Sequence, residues 1–332
     1  DILKVANTSN GNVLAGGAGN DSLTGSYYTD TYLFNLGDGI DTIYESVNSS
    51  TTTSYTDVLR FGAGINPSDI QLQRSGYDLV FAHTNGLDKV VVKNLFTNAT
   101  STAGIVAASV IEKVEFADGT VWTWEQILQD GIKQVGTDAA ETIIGWAGKD
   151  NIHGGAGNDT LDGGTGSNTL YGDAGNDILK VANTSNGNVL AGGAGNDSLT
   201  GGYYSDTYLF NLGDGIDTIY ESVNSSTSTS YTDVLRFGVD IAEDNLWFER
   251  SNLDLVIRSH GGENQVHISN WYSSAANRIE QIELDNGKSL SANQVHNLVN
   301  AMASFGVAPG GAVNLNPEQK QQLDVVLAAN WA

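Results

Sequence analysis

Two patterns of apolar and polar positions alternate along this chain. In the first, one large apolar residue holds the same place in each stretch of nine: Leu161, Leu170 and Leu179, then Leu190 and Leu199 after a two-residue insertion at Val181-Ala182. That spacing predicts six-residue turns alternating with three-residue strands, each strand sending one apolar side chain into a core. Such strands are too short to be stable alone, so stacking has to supply the rest. In the second pattern, over 57–130 and 233–300, segments such as Asp78-Leu-Val-Phe81, Lys89-Val-Val-Val92 and Asp254-Leu-Val-Ile257 are short and β-branched, as in strands. Thr123-Trp-Glu-Gln126 has the spacing of a capping box that opens a short helix. Near the C-terminus Val295, Leu298, Val299 and Met302 follow helical spacing, and a second helix is predicted from Asn316 with Pro317 at its first position. The Ser/Thr-rich runs at 46–56 and 222–232 read as loops.

Both patterns occur twice. Asp1 to Gly62 recurs as Asp177 to Gly238 with three differences, at Ser26/Gly202, Thr29/Ser205 and Thr52/Ser228. The register continues more weakly, and Ile111-Glu112 aligns with Ile279-Glu280 after eight extra residues in the first copy. Within the Gly-rich blocks nonapeptides start at Gly145, Gly154, Gly163 and Gly172, resume at Asn183, Gly192 and Gly201, and have first-copy members at Asn7, Gly16, Gly25 and Gly37. The expected class is all-β. Blocks of stacked turns at 1–44 and 136–220 alternate with compact β-rich modules at 45–135 and 221–300, and a helical tail occupies 301–332. The first block opens partway through a repeat at Asp1, which implies a longer parent.

Charge and composition narrow the partners. The chain carries 39 acidic and 15 basic residues, a formal charge of -24, and 40 glycines. Average usage of about 7% would give roughly 23 glycines, so the backbone needs them. The acidic field repels nucleic acid and anionic membranes and favours cations. No run of about 18 apolar residues is present, so no membrane span is expected. Cysteine is absent, which removes disulfides and thiolate metal sites.

The turn itself suggests its chemistry. In Gly154-Gly-Ala-Gly-Asn-Asp-Thr-Leu-Asp162, glycines at positions one, two and four permit positive φ, so the six-residue turn can aim carbonyls inward. Asp159 at position six adds a carboxylate. Two repeats make one coil, so alternate turns stack on one flank and present oxygens to the space between them. A hard divalent cation taking six to eight oxygens, calcium above all, suits that space.

The strict form Gly-Gly-x-Gly-x-Asp-x-Leu occurs at 16–23, 154–161 and 192–199, with near matches between. This tandem array resembles the RTX (repeats-in-toxin) hemolysin-type calcium-binding repeat. The resemblance implies a parallel β-roll and ligands drawn from two turns, two repeats apart. Carbonyls at positions two and four and the Asp come from one turn; carbonyls at one and three and the next Asp come from the other. One site would then use Gly155, Gly157, Asp159, Gly172, Ala174 and Asp177. The wider set of expected metal residues is Gly17, Gly19, Asp21, Asp30, Asp38 and Asp41 in the first block. In the second it adds Gly148, Asp150, Gly154, Ala156, Gly163, Thr165, Gly175, Gly192, Gly193, Ala194, Gly195, Asp197, Asp206, Asp214 and Asp217. The modules resemble the β-rich domain that follows such repeats, through Leu246-Trp-Phe-Glu-Arg-Ser251, Asp254-Leu-Val-Ile257 and Asn270-Trp-Tyr272.

The flanks are unequal. One carries Glu141, Asp159, Asp177, Asp197 and Asp217; the other has Asp150, Asn168, Asn188 and Asp206, with neutral amides in the middle. Fewer carboxylates should weaken calcium binding there. His153, His260, His267 and His296 lack metal-ligand spacing, and no hydrolase motif is present. Glu112, Glu115, Glu280 and Glu283 read as the polar face of a strand, and Trp247, Trp271 and Tyr272 as core aromatics. The expected function is calcium-triggered folding and stabilisation of a secreted, extracellular Gram-negative protein, with no catalysis of its own. The charge-poor tail after about Ser289, with only Glu318, Lys320 and Asp324 charged and ending in the apolar run Val325-Val-Leu-Ala-Ala-Asn-Trp-Ala332, resembles the signal read by type I secretion machinery. The runner-up is an adhesive module with a glycan or cell-surface partner.

Overall fold

A repeat with one apolar side chain per strand must stack that side chain on its equivalents. In the computed structural model, Leu161 pairs in register with Leu179, Leu179 with Leu199, and Leu199 with Ile219. The structure describes residues 1–7, 10–45, 55–95, 111–124, 126–127, 132–145, 148–183, 187–221, 231–259, 263–308 and 310–331. The loops expected at 46–56 and 222–232 lie outside these except at their last two residues, as does His260. The chain divides into two compact units, Asp1–Val135 with Trp146–Asn151, and Gly136–Gly145 with Ile152–Ala332.

In the second unit, one parallel sheet runs through Thr142–Ile144, Thr160–Asp162, Ile178–Lys180, Ser198–Thr200, Ile216–Tyr220 and Gln265–Ile268. Asp254–Ser259 and Leu246–Ser251 then extend it antiparallel. The other sheet runs in parallel through Thr169–Ala174, Asn188–Ala194, Asp206–Phe210, Val234–Phe237 and Gln281–Glu283, with Ser289–Ser291 closing it antiparallel. The repeat strands and the module strands therefore share sheets and one core, which runs from Leu161 and Leu170 through Phe237 and Trp271.

The first unit repeats the plan. Ile2–Lys4, Ser22–Thr24, Ile40–Tyr44 and Lys89–Val92 are parallel neighbours, followed antiparallel by Asp78–His83 and Ile70–Ser75. Asn12–Ala15, Asp30–Phe34, Val58–Phe61 and Lys113–Glu115 make the second parallel run. The capping box forms: the Thr123 amide donates to Gln126 Oε1 at 3.0 Å, and the Gln126 amide to Thr123 Oγ1 at 3.4 Å.

Two helices finish the second unit, α1 (Ala292–Ala303) and α2 (Pro317–Asn330). Helix α1 buries Val295, Leu298, Val299 and Met302, the four positions whose spacing predicted it. Helix α2 starts where Asn316 Oδ1 accepts the Gln319 amide at 2.9 Å, which satisfies an orphan donor of the first turn. Its Leu323 and Leu327, with the following Trp331, are buried in the same core as Phe248. The tail thus covers apolar surface that the last strands would otherwise expose to water.

Candidate metal centre

Gly155 and Gly157, at positions two and four, have φ of +98° and +113°, the left-handed conformation that their turn requires. Gly154 does not, which corrects the expectation for position one. A Cβ there would lie 2.6 Å from both Asp159 Oδ2 and the Gly172 carbonyl oxygen, so this glycine makes room for converging oxygens. Gly172 repeats the arrangement, with Asp177 Oδ2 and the Gly192 carbonyl each 2.3 Å from its Cβ position. Its neighbour Asp173 occupies position two with φ of +69°, an uncommon conformation for a residue other than glycine.

The position-six aspartates form a ladder along this flank. The Glu141 amide donates to Asp159 Oδ1 at 2.8 Å, the Asp159 amide to Asp177 Oδ1 at 2.7 Å, and the Asp177 amide to Asp197 Oδ1 at 2.7 Å. The Asp197 amide reaches Asp217 Oδ1 at 3.1 Å, and in the first unit Asp21 reaches Asp41 likewise at 3.1 Å. One oxygen of each accepting carboxylate is thereby used, and Asp21 Oδ1 takes the Asp1 amine instead. The other, Oδ2 of Asp21, Asp41, Asp159, Asp177 and Asp197, is buried with no hydrogen-bond partner among the described residues. Burying an anionic oxygen without a partner is strongly unfavourable, so these atoms fit a cation lying between the turns.

The donor set is oxygen throughout, carboxylate plus carbonyl, which suits calcium. Gly172 would add its carbonyl beside Asp159. The Gly155 carbonyl accepts the Ala174 amide and the Ala174 carbonyl accepts the Gly157 amide, both at 2.9 Å, and each keeps a second lone pair. The position-three carbonyls of Asp38, Ala194 and Asp214 are bonded in the same way, to Gly19, Gly175 and Gly195. Burial pushes Asp177 up to about 6, with repulsion from Asp159 and Asp173 adding to it. Asp41 is pushed up to about 6 by burial and by Asp21. Burial also raises Asp159, Asp197 and Asp217.

The opposite flank is built differently. Asn168 Nδ2 donates to the Gly163 carbonyl of its own turn at 2.8 Å, and Asn188 Nδ2 donates to Asp206 Oδ1 at 2.6 Å. Asp206 Oδ2 accepts the Gly202 amide at 2.7 Å, as Asp30 Oδ2 accepts the Ser26 amide at 2.6 Å. Here amide hydrogens occupy positions where a cation would act on the other flank. Asp150 is buried at the start of its strand, while Gly148 and Thr165 lie in bends. Asp38 and Asp214 point back into their own turns, each Oδ2 accepting the amide three residues earlier, from Asn35 at 2.7 Å and Asn211 at 2.6 Å.

Two features escaped the sequence reading. Position-five asparagines make a second, exposed ladder: Asn158 Oδ1 accepts the Asn176 amide and Asn176 Oδ1 the Asn196 amide, both at 2.8 Å. The signal was the Asn before Asp in each of these turns. Glu112 and Glu280, expected on a strand face, instead precede their strands and accept the amides of Asp57 (2.6 Å) and Asp233 (2.9 Å). They continue the second flank's ladder beyond Asp30 and Asp206. Glu115 and Glu283 do lie on the strands and pair with Arg60 and Arg236. Trp247 and Trp271 are 5% and 0% exposed and present no face for stacking. His153 stacks on Tyr171 and meets Asp173 at 3.1 Å.

Two family models match the repeats and the segments that follow them. A family model described as the RTX calcium-binding nonapeptide repeat matches 7–43, 135–170, 144–179 and 183–219. A second, the haemolysin-type calcium binding protein related domain, matches 78–126 and 254–294, stretches that lie inside the two expected modules. The chain is 36% identical over 90 residues to the iron-regulated protein FrpA of Neisseria meningitidis serogroup C, a match spanning 26% of this chain and 8% of that protein. The extracellular lipase LipA from Serratia marcescens aligns with 77% of this chain and 36% of its own, at 19% identity and a TM-score of 0.24.

Proposed function

This chain belongs to the RTX proteins with haemolysin-type calcium-binding repeats, and on that premise we propose that it is a calcium-triggered folding module, exported by a Gram-negative bacterium and without catalysis of its own. The observation that carries the reading is the row of buried, unpartnered Oδ2 atoms along one flank. Residues 136–220 hold 11 acidic side chains against two lysines, so the stacked turns repel one another unless cations intervene. Extracellular calcium modules reach dissociation constants of about 10⁻⁴ M. At roughly 1 mM calcium such a site adds about 1.4 kcal/mol. Several in a row approach the ~5–15 kcal/mol that separates folded from unfolded domains. At micromolar calcium or less that stabilisation is gone.

Export gives the switch a purpose. A chain that stays extended in a cytosol of low calcium can pass a narrow conduit and fold outside, and the absence of cysteine means no disulfide forms on the way. The tail is the proposed address for type I secretion. Because Leu323, Leu327 and Trp331 are buried, deleting it would also expose the core, so the clean test is to fuse 289–332 to a carrier protein. Appearance of the carrier in the medium, only in a host with a type I transporter, is expected; retention in the cell would leave the tail a structural cap. The folding claim is tested by circular dichroism of the full chain with calcium and with chelator. A large calcium-dependent gain of β-signal is expected, and identical spectra would refute it.

A further inference from the structure

The last turn of the second flank differs from both kinds described above. In the first unit Asp30, Glu45 and Asp57 each bring one carboxylate oxygen within 4.8 Å of the others. Above Gly25 the position a Cβ would take lies 2.1 Å from the Tyr32 hydroxyl oxygen, 2.9 Å from Glu45 Oε2 and 3.0 Å from Asp30 Oδ2. Three oxygens, two from the strand Asp30–Phe34 and one from Glu45 just after the strand Ile40–Tyr44, thus converge over a residue with no side chain. Tyr32 is 0% exposed, and its hydroxyl faces the Glu45 carboxylate but meets no partner at full hydrogen-bonding geometry among the described residues. Such a hydroxyl normally finds a partner when buried. The second unit repeats the glycine, tyrosine and aspartate of this arrangement. Over Gly201 the Tyr208 hydroxyl and Asp206 Oδ2 lie 2.1 and 2.8 Å from the Cβ position. Tyr208 is 1% exposed and faces the Glu221 carboxylate, yet neither its hydroxyl nor the buried Glu221 Oε1 meets a partner at full hydrogen-bonding geometry among the described residues.

The surrounding charge has one sign. Asp57 and Asp233 are bonded through their amides to Glu112 and Glu280, which adds a fourth carboxylate to each cluster. Among the described residues none of Asp206, Glu221, Asp233 and Glu280 has a lysine or arginine within ion-pair distance, nor have Asp30, Asp57 and Glu112. Buried carboxylates packed together need a counter-charge. We propose that each unit holds a further cation, of the hard divalent calcium class, at the end of its roll, bound by side-chain carboxylates of Asp30, Glu45 and Asp57 in the first unit and Asp206, Glu221 and Asp233 in the second, with the Tyr32 or Tyr208 hydroxyl facing it. Unlike the ladder sites, these draw on a glutamate and on an aspartate from beyond the repeats. Each ion ties the last turn to the module strand that begins after Asp57 or Asp233, so the site joins roll to module.

The site depends on the calcium reading only for the choice of ion, and it can fail while the ladder stands. Calcium bound per full chain is counted by equilibrium dialysis for the parent, for Glu45→Gln with Glu221→Gln, and for Asp177→Ala as a ladder control. The double variant is expected to lose two ions while the control loses its ladder ion. An unchanged count in the double variant, with a reduced one in the control, would overturn the proposal and leave the ladder intact. Terbium, a hard oxygen-seeking ion excited through nearby tyrosine, supplies a second readout in Tyr32→Phe with Tyr208→Phe, which removes only two hydroxyls. Sensitised emission is expected to fall in that variant, and full emission would count against the site. Should the glutamine variant fail to fold in calcium by circular dichroism, the phenylalanine pair decides.

Discussion

The two flanks of the second roll share a backbone path and a ladder of amide-to-position-six hydrogen bonds, yet their chemistry is opposite. Along Asp159, Asp177 and Asp197 one carboxylate oxygen takes a neighbour's amide and the other is left buried and unpartnered. Along Asn168 and Asn188 an NH₂ group replaces that second oxygen and donates to the Gly163 carbonyl or to Asp206. The amide supplies internally the positive charge density that the carboxylate has to obtain from a cation. Dependence on calcium is therefore set by one atom at position six, and the β-roll fold is compatible with either choice.

The comparison breaks most visibly at Asp177. Asp177→Ala removes a ligand and also leaves the buried Asp159 amide without its acceptor, a loss of about 1–3 kcal/mol before any calcium is counted. Calcium affinity at the neighbouring sites is expected to fall tenfold or more by isothermal titration, whereas Asn168→Ala leaves it nearly unchanged. Equal losses would show the flanks to be equivalent.

The next largest effect comes from converting one flank into the other. Asn168→Asp completes the Gly-Gly-x-Gly-x-Asp frame and removes the bond to Gly163, so the gap between melting temperatures in calcium and in chelator should widen. An unchanged gap would mean that the amide does not stand in for a cation.

Acid should blunt the carboxylate flank and leave the stretch around Asn168 and Asn188 unaffected. Asp177 and Asp41 sit at about 6, above the ordinary value near 4. A raised carboxyl stabilises the metal-free fold at low pH, and that contribution is lost as pH rises through about 6. Protons and calcium therefore compete below about pH 6. Calcium titrations at about pH 5 and about pH 8 should show weaker binding in acid, and equal affinities would contradict the assignment.

The smallest effect belongs to the outer asparagine ladder. Asn176→Ala costs about 0.5–1.5 kcal/mol in urea unfolding, because one exposed hydrogen bond is lost. The loss should be the same with and without calcium; dependence on calcium would place Asn176 in the metal site.

Much of this was legible in the chain. The nine-residue recurrence of Leu161, Leu170 and Leu179 identified the core, the Asp and Asn alternation separated the flanks, and the spacing of Val295 to Met302 gave α1. These features depend on neighbours in one repeat or one helix turn. What escaped depends on partners set by stacking. Glu112 meets Asp57 across 55 residues, and the Ser/Thr-rich sequence between Glu45 and Asp57 gives no sign of how the roll's strands continue into the module. Gly154 was assigned to backbone freedom because its true reason, the approach of Asp159 Oδ2 and the Gly172 carbonyl, appears only when the next turn is in place.

The central claim is that calcium lies on the flank of Asp159, Asp177 and Asp197 and is absent between Asn168 and Asn188. A crystal of the full chain grown in calcium, with anomalous differences recorded, tests it directly. Peaks beside Oδ2 of each of those three aspartates, with none between Asn168 and Asn188, are predicted. Peaks of equal height at Asn168 and Asn188, or none beside Asp159 and Asp177, would contradict the account.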